Sequence, residues 1–396
     1  MPRTLRHHLS AIRLAIATTL IAMLFAACGA PGGGGGGVSM MPGEAITGAT
    51  GSVKVALLLP ISAQGSTAAV AKALKQAAEL ALFDFDNPNV SLVPKDTKGT
   101  PGGARAAAQS AVKDGAELII GPLFAQEVRS AAQVARSAGI PMIAFSSDEK
   151  VAGNGVYLLS FLAGRDVPRV VSFAMSRGKR NFAVLVPQTN YGRIAEAAFA
   201  KAVAQGGGAA PVRASFSTAN MSAAVQQVAS AMKSGQKIDA LFLPAGREEL
   251  PRLAQQLAGA GVTSAKLQFI GTGQWDYLNV GKQQALVGGW YPAPDPKGWN
   301  SFAQRYAKTF GGTPPRIASL SYDAMSLAVS LSQNPPGQRY SFSQLTRSSG
   351  FAGVDGLVRL LPDGTSERGL AILEVRPGAP RVVSPAPRTF TTASTY

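Results

Sequence analysis

The stretch VKVALLLP at residues 53–60 carries the strongest structural signal in the chain. Six of its first seven residues are apolar, and a proline closes the run. A short, almost continuous apolar run is typical of a strand that is buried on both faces of a parallel sheet. Because parallel neighbours are joined by long crossovers, usually helices, this run predicts alternating strands and helices downstream.

The rest of the chain continues this alternation in two series. In the first series, strands are predicted at 89–93, 117–120 and 141–144, and helices at 66–83, 102–113 and 127–137. In the second series, strands are predicted at 181–186, 212–216, 239–243 and 267–270, and helices at 192–204, 222–233 and 249–260. Two helices (299–310 and 319–331) and a hairpin of 356–361 with 369–375 complete the pattern. Two series of βα units predict an α/β fold with two doubly wound parallel-sheet lobes.

The N-terminal segment has the features of an export signal. Three arginines precede an apolar stretch at 14–25 that is short for a membrane span, and the run LFAAC ends at Cys28. This run resembles a bacterial lipoprotein box. The resemblance implies a signal peptide at 1–27, lipidation of Cys28 and anchoring in the periplasm, with the outer membrane favoured over the inner. The alternative is an ordinary secretory cleavage site with an inert cysteine. A glycine-rich tether is predicted at 28–51.

Composition limits the chemistry that the chain can perform. The only histidines, His7 and His8, lie in the predicted signal, and Cys28 is the only cysteine. A processed chain without histidine lacks Ser-His-Asp and Cys-His catalysis and the commonest zinc sites, so no catalytic residue, metal site or cofactor is predicted. The net charge of +16 favours contact with anionic lipid or wall polymers. Nucleic acid is not predicted as a partner, because the sequence has no basic stripe with interleaved aromatic residues.

Four short motifs together resemble the type I periplasmic binding proteins, the fold of the leucine/isoleucine/valine receptors. They are VALLLP in the opening strand, IIGP at 119–122, AGIPMI at 138–143 and NYG at 190–192. The resemblance implies two interwoven lobes joined by a three-crossing hinge. Lobe one would comprise 52–165 plus 288–335, lobe two 166–287 plus 336–376, and a disordered tail at 377–396 would follow.

The resemblance also implies a ligand cleft between the lobes, at the carboxyl ends of the strands, where doubly wound sheets generally bind ligands. The residues predicted to line this cleft are Ser62, Phe124, Ser146, Ser147, Tyr191, Arg247, Gln274 and Trp275. In amino-acid receptors of this family, hydroxyl and backbone N–H groups bind the ligand carboxylate, an acidic residue binds the ammonium group, and a tyrosine stacks on the ligand. Ser146, Ser147 and Tyr191 match the hydroxyl groups and the tyrosine.

Two positions depart from the amino-acid receptors. Phe124 follows the Gly-Pro motif where the family usually has Ser or Thr, and Gln274 stands where the acidic partner of the ammonium group is expected. A neutral glutamine cannot supply the charge-assisted hydrogen bond that a buried ammonium needs, so binding of a free α-amino acid is not expected. Structural roles stay open for other residues: Tyr191 could start a helix, Trp275 could pack at the hinge, and Arg247 could face solvent.

Lipoproteins of the penicillin-binding protein activator type resemble this chain more closely, through the lipidated cysteine and a loop similar to GTGQW at 271–275. That resemblance implies a non-catalytic envelope lipoprotein that regulates peptidoglycan synthesis by contacting a peptidoglycan synthase. The alternative is the substrate-binding receptor of an ABC importer for branched-chain amino acids or another small molecule, with an ABC permease as partner. A third and less favoured hypothesis is a wall hydrolase with two catalytic carboxylates.

Overall fold

The computed structural model describes residues 52–277 and 279–390. The first of its two main sheets contains five parallel strands. The strands are β1 (Val53–Leu59), β2 (Val90–Asp96), β3 (Leu118–Ile120), β4 (Met142–Ala144) and β5 (Val156–Leu158), in the order β2-β1-β3-β4-β5. Strand β1 lies between β2 and β3, with Val55 opposite Leu92 and Leu118. A strand with neighbours on both sides and helices on both faces has to be apolar almost throughout, as β1 is.

Helices cover both faces of this sheet. They are α1 (Gly65–Phe83), α2 (Pro101–Lys113), α3 (Ala125–Ser137) and α9 (Ala318–Ser332). Because successive side chains of a strand point to opposite faces, β1 contributes to two cores. Val55 and Leu57 pack with α1 and α9, whereas Ala56 and Leu58 pack with α2 and α3.

The second sheet contains seven strands. They are β6 (Asn181–Pro187), β7 (Ala209–Phe216), β8 (Ala240–Phe242), β9 (Gln268–Ile270), β10 (Trp290–Ala293), β14 (Ala371–Glu374) and β15 (Arg381–Ser384), in the order β15-β14-β10-β9-β8-β6-β7. Strand β14 runs antiparallel to both neighbours, and the pairs from β10 to β7 are parallel. On one face lie α4 (Ala163–Ser176) and α5 (Asn190–Gln205), and on the other α6 (Met221–Lys233) and α7 (Leu250–Gly259). The predicted α/β fold with two parallel-sheet lobes is confirmed.

The remaining elements complete the first lobe. They are α8 (Pro296–Phe310), α10 (Phe342–Leu345), β11 (Phe351–Gly353), β12 (Gly356–Leu360) and β13 (Ser366–Arg368), the last three forming an antiparallel sheet. Phe351 and Val358 join the core beneath α1 and α9, and Phe302 of α8 packs on α1. The chain therefore passes between the lobes three times: after β5, after β10 and after β13.

Sheet membership moves the lobe boundaries from the predicted ones. Strand β10 belongs to the second sheet, although the prediction places 288–335 in lobe one, because Trp290 pairs with Ile270 and with Glu374. Strands β11 to β13 pack on the first core, although the prediction places 336–376 in lobe two. The second crossing follows β10 and not residue 287, and the third follows β13 and not residue 335.

The predicted C-terminal hairpin is also wrong in its pairing. Strand β12 pairs with β13, whereas the segment predicted as its partner, 369–375, contains β14 of the second sheet. Three successive residues of β14, Ala371, Ile372 and Leu373, are buried, and such a strand fits the interior of a sheet covered on both faces. Strand β15 lies within 377–396, so part of the predicted disordered tail is a strand that pairs with β14.

Several predictions concern parts of the chain that the structure does not describe. The signal at 1–27, Cys28, the tether at 28–51 and residues 391–396 lie outside the described residues. Among the helices of 52–277 and 279–390, none has the length and apolarity needed to cross a bilayer.

Candidate ligand-binding cleft

A cavity of about 680 Å³ lies at the carboxyl ends of β3, β4 and β5. The loops that follow these three strands form much of its wall, and the first turns of α1 and α9 complete it. Open α/β sheets characteristically bind ligands at this edge, because the connecting loops converge there. The volume falls in the range of small-molecule sites.

The loop after β4 brings Ser146 and Ser147, two of the residues predicted for the cleft, to the wall of this cavity. Ser146 is buried, and its Oγ accepts a hydrogen bond from the Asp148 backbone N–H at 3.1 Å. Ser147 is exposed and keeps its hydroxyl available to a ligand. The loop is further held by Ser160, whose Oγ donates to the Phe145 carbonyl oxygen at 3.1 Å. The serines thus sit on a fixed turn beside an open volume.

The loop after β3 brings Phe124 to the same cavity, with 42% of the residue exposed. Gly121 sets the course of this loop: its φ is +87°, and an added Cβ would lie 2.2 Å from the Leu58 carbonyl oxygen. Only glycine tolerates both the dihedral angle and the close approach. Behind Phe124, the buried Glu127 accepts a hydrogen bond from the Thr97 hydroxyl at 2.9 Å, and burial raises the pKa of this carboxyl.

A smaller cavity of about 100 Å³ lies between residues of the two lobes. Ser147 and Phe161 line both cavities, whereas Tyr191 lines only the smaller one, at the start of α5. The Tyr191 hydroxyl donates to Thr272 Oγ1 at 2.8 Å, and burial raises the pKa of the phenol above its ordinary value. The predicted tyrosine therefore reaches the cleft, with its hydroxyl anchored to the second lobe.

Four predicted cleft residues line neither cavity: Ser62, Arg247, Gln274 and Trp275. Ser62 is exposed and donates its backbone N–H to Asp96 Oδ1 at 3.2 Å. Arg247 and Gln274 are also exposed, and the Arg247 guanidinium lies 5.6 Å from the centre of the Tyr277 ring. The structure thus leaves these three side chains on loops outside the cavity walls.

Trp275 is a core residue, and its predicted place in the cleft wall is wrong. The residue is fully buried, and its Nε1 donates to the Leu243 carbonyl oxygen at 3.1 Å. An added Cβ at Gly271 would lie 2.2 Å from the indole ring, so the first glycine of GTGQW makes room for the tryptophan. This part of the motif serves packing in the second lobe.

Arg316 is a cavity residue that the sequence did not reveal. Its Nε lies 3.4 Å from Asp276 Oδ2 of the second lobe, and its Nη1 lies 2.5 Å from Asp355 Oδ1 of the first. The guanidinium also lies 4.5 Å from the centre of the Trp299 ring. Burial raises the pKa of Asp276, and the nearby Arg316 charge opposes that shift. The Arg316 side chain therefore bridges the lobes at the edge of the cavity.

A buried charged group lies where the chain crosses between the lobes. Arg368 contacts the Phe161 ring with its guanidinium 4.9 Å from the ring centre, and its Nε donates to the Ser160 carbonyl oxygen at 3.3 Å. Burial raises the pKa of Asp166 to about 7, although the Arg368 charge lowers it. Burial and the neighbouring Asp355 likewise raise the pKa of Asp323 to about 7. Within the described residues, no His, Cys, Asp and Glu side chains are grouped so as to hold a metal ion.

The sequence of this chain matches a known protein family over most of its length. A model of the family described as periplasmic binding protein matches residues 52–380. No functionally curated protein matches the sequence.

Solved structures of transport proteins share the fold at low sequence identity. A protein from Rhodospirillum rubrum, proposed to belong to a branched-chain amino acid ABC transporter, aligns with a TM-score of 0.74 and 20% identity over 84% of this chain and 100% of its own. A branched chain amino acid ABC transporter periplasmic ligand-binding protein from Burkholderia xenovorans gives 0.68 and 19% over 85% and 96%. A solute binding protein from Rhodopseudomonas palustris, in complex with 3,4-dihydroxy benzoic acid, gives 0.62 and 20% over 87% and 99%.

Proposed function

The chain belongs to the periplasmic binding protein family, and from this premise we propose that it is the substrate-binding receptor of an ABC importer for a small organic molecule. Membership of this family indicates a periplasmic location. The observation that carries the proposal is the cavity of about 680 Å³ at the carboxyl ends of β3, β4 and β5. Its size and position are those of a ligand site, not of a packing defect.

The composition of the cavity wall supports a small-molecule ligand. Hydroxyl groups of Ser146 and Ser147 stand beside the aromatic rings of Phe124 and Phe161. A site of this kind buries an apolar body and fixes its orientation with a few polar groups. The three chain crossings also provide a hinge, so closure of the lobes on a ligand is the conformational signal that a permease would read.

The receptor hypothesis takes precedence here over regulation of peptidoglycan synthesis. The structural relatives named above are described as transport or solute-binding proteins. Their descriptions favour the receptor of an ABC importer, which the sequence alone offered only as the alternative. A lipid anchor at Cys28, which the resemblance to a lipoprotein box implies, would fit either hypothesis, because it would hold the protein close to a membrane and to any permease within it. Contact with an ABC permease is part of the proposal.

A thermal-shift screen of the purified full chain tests the proposal. The panel contains leucine, isoleucine, valine, benzoate, 3,4-dihydroxybenzoate and 4-methylpentanoate. We expect at least one compound to raise the melting temperature by several degrees, because a ligand that binds only the folded state stabilises it. We expect Ser147→Trp to abolish this response by filling the cavity from an exposed position, and Ser137→Trp, on the exposed surface of α3, to retain it.

Two results would contradict the receptor hypothesis. One is a panel in which no compound stabilises the protein, tested to millimolar concentration. The other is a response that is unchanged in Ser147→Trp, which would locate the ligand outside this cavity. Affinity capture that recovered a peptidoglycan synthase and no permease would then support the regulatory hypothesis instead.

A further inference from the structure

Two charged side chains line the main cavity, and only one of them is available to a ligand. The carboxylate of Asp148 is occupied on both oxygens: Oδ2 accepts from Arg129 Nη2 at 2.8 Å, and Oδ1 accepts from the Lys150 backbone N–H at 3.1 Å. The other charged residue in the wall is Arg316. A buried ammonium would need an acidic partner, and this wall offers no carboxylate without its own partners.

The Arg316 guanidinium lines the cavity and has one nitrogen without a protein partner within 52–277 and 279–390. Its Nε faces Asp276 and its Nη1 faces Asp355, whereas Nη2 makes no hydrogen bond to any residue that the structure describes. A quarter of the side chain is exposed. Guanidinium groups bind carboxylates through pairs of N–H donors, and such charge-assisted bonds are among the strongest in proteins.

The rest of the wall suits an apolar body attached to the anionic group. The Phe161 ring lies directly beneath the charge, with its centre 5.5 Å from the Arg316 guanidinium carbon. Leu320, from the first turn of α9, and Leu123, from the loop after β3, extend the apolar surface. One cationic group at the edge of an apolar cavity matches a small amphipathic anion.

We propose that Arg316 determines specificity in this cleft: it binds the anionic group of the ligand, so that the site selects small apolar carboxylates and does not require an α-amino group. This inference rests on the proposed receptor function. Asp276 competes with the ligand for the guanidinium, because it occupies Nε from the second lobe.

Matched ligands test the inference by calorimetry on the full chain. Benzoate is compared with benzamide, and 4-methylpentanoate with its amide and with leucine. We expect each carboxylate to bind at least tenfold more tightly than its amide, because the amide loses the charge-assisted bond. We also expect 4-methylpentanoate to bind at least as tightly as leucine.

Protein variants separate ligand binding from a structural role of the arginine. Arg316→Gln is expected to weaken carboxylate binding about tenfold or more and to bring the carboxylate close to the amide, and Arg316→Lys to retain part of the preference. Arg213→Gln, the same change in an exposed and distant ion pair with Glu196, should bind like wild type. Asp276→Asn should leave carboxylate binding intact or strengthen it, whereas a merely structural ion pair would make both partners equally sensitive.

The outcomes distinguish this inference from the receptor function. Equal binding of carboxylate and amide by the wild-type protein, or leucine binding much tighter than 4-methylpentanoate, would overturn the role of Arg316 and leave the receptor function standing. The comparison on wild-type protein remains decisive even if Arg316→Gln fails to fold. Binding of no compound at all would count against both proposals.

Discussion

Gly192 and Gly102 occupy the first turns of α5 and α2 but have opposite surroundings. An added Cβ at Gly192 would lie 2.1 Å from the Pro187 backbone oxygen, whereas nothing lies within 4 Å of one at Gly102. We expect Gly192→Ala to lower the free energy of unfolding by about 1–3 kcal/mol, because backbone has to move. Gly102→Ala should be neutral or stabilise by up to about 1 kcal/mol. Urea unfolding measures both, and equal effects would refute the packing role of the glycine in NYG.

Asp166 makes the folded state less stable as pH rises from about 4 to about 7. Burial raises its folded-state pKa to about 7, partly offset by Arg368, while the unfolded pKa stays near 3.8. Between these values the folded state binds more protons than the unfolded state, so the contribution of Asp166 to stability falls as pH rises from about 4 to about 7. The loss approaches about 1.4 kcal/mol per pH unit over that window.

Unfolding of Asp166→Asn at pH 4 and pH 8 checks this dependence. Relative to wild type, the variant should gain up to about 4 kcal/mol between the two pH values, because asparagine carries no charge to bury. Asp86→Asn, at an exposed position, is the control and should follow wild type at both pH values. A constant difference between Asp166→Asn and wild type would show that the carboxyl titrates normally.

At the scale of elements, β15 protects the edge of the second sheet. Its residues pair with β14, and Arg169 Nη2 on α4 donates to Ser384 Oγ at 2.7 Å. Removal of 377–396 should lower the melting temperature by several degrees and promote self-association, because it exposes the edge of a buried strand. Calorimetry and size-exclusion chromatography measure the two effects, and removal of 391–396 alone is the control. A monomer of unchanged stability would contradict this role.

The elements that the sequence predicted are those whose signal is local. The apolar run of β1 and the periodicity of α1 each contain the information for their own conformation, so both lie close to their predicted bounds. Strand β14 shows what a local pattern cannot predict: its apolar residues indicate a strand, but they do not indicate which strand it pairs with. The partner, β10, lies some eighty residues away, and the choice between it and β12 depends on which sheet buries both faces.

The same distinction applies to the cleft. Ser146 and Ser147 were predictable because they directly follow an apolar strand, and the carboxyl end of a parallel strand fixes their position. Arg316 was not predictable as a cavity residue, because it follows two prolines in a loop and no strand end marks its position. Its role also depends on Asp276 and Asp355, each about forty residues away in the sequence. The prediction for Trp275 was wrong for a different reason. The sequence indicates the loop that carries this residue but not the direction of its side chain, and the ring turns inward towards Leu243.

At the scale of the whole molecule, the three crossings interleave the sequence of one lobe with that of the other. The first core combines Val53 with Leu360, and the core beneath α6 and α7 combines Ala183 with Leu373. Each lobe therefore joins segments that lie far apart in the sequence. Ordering such distant segments costs loop entropy before their contacts form.

This interleaving has a consequence for biosynthesis. Neither core can close while residues near Leu360 and Leu373 remain inside the ribosome, so the emerging polypeptide lacks a complete folding unit for most of its synthesis. A nascent chain that cannot fold prematurely stays threadable through a narrow translocation channel. Slow, late folding is thus built into the topology, and it suits a protein whose folded state is required only on the far side of a membrane.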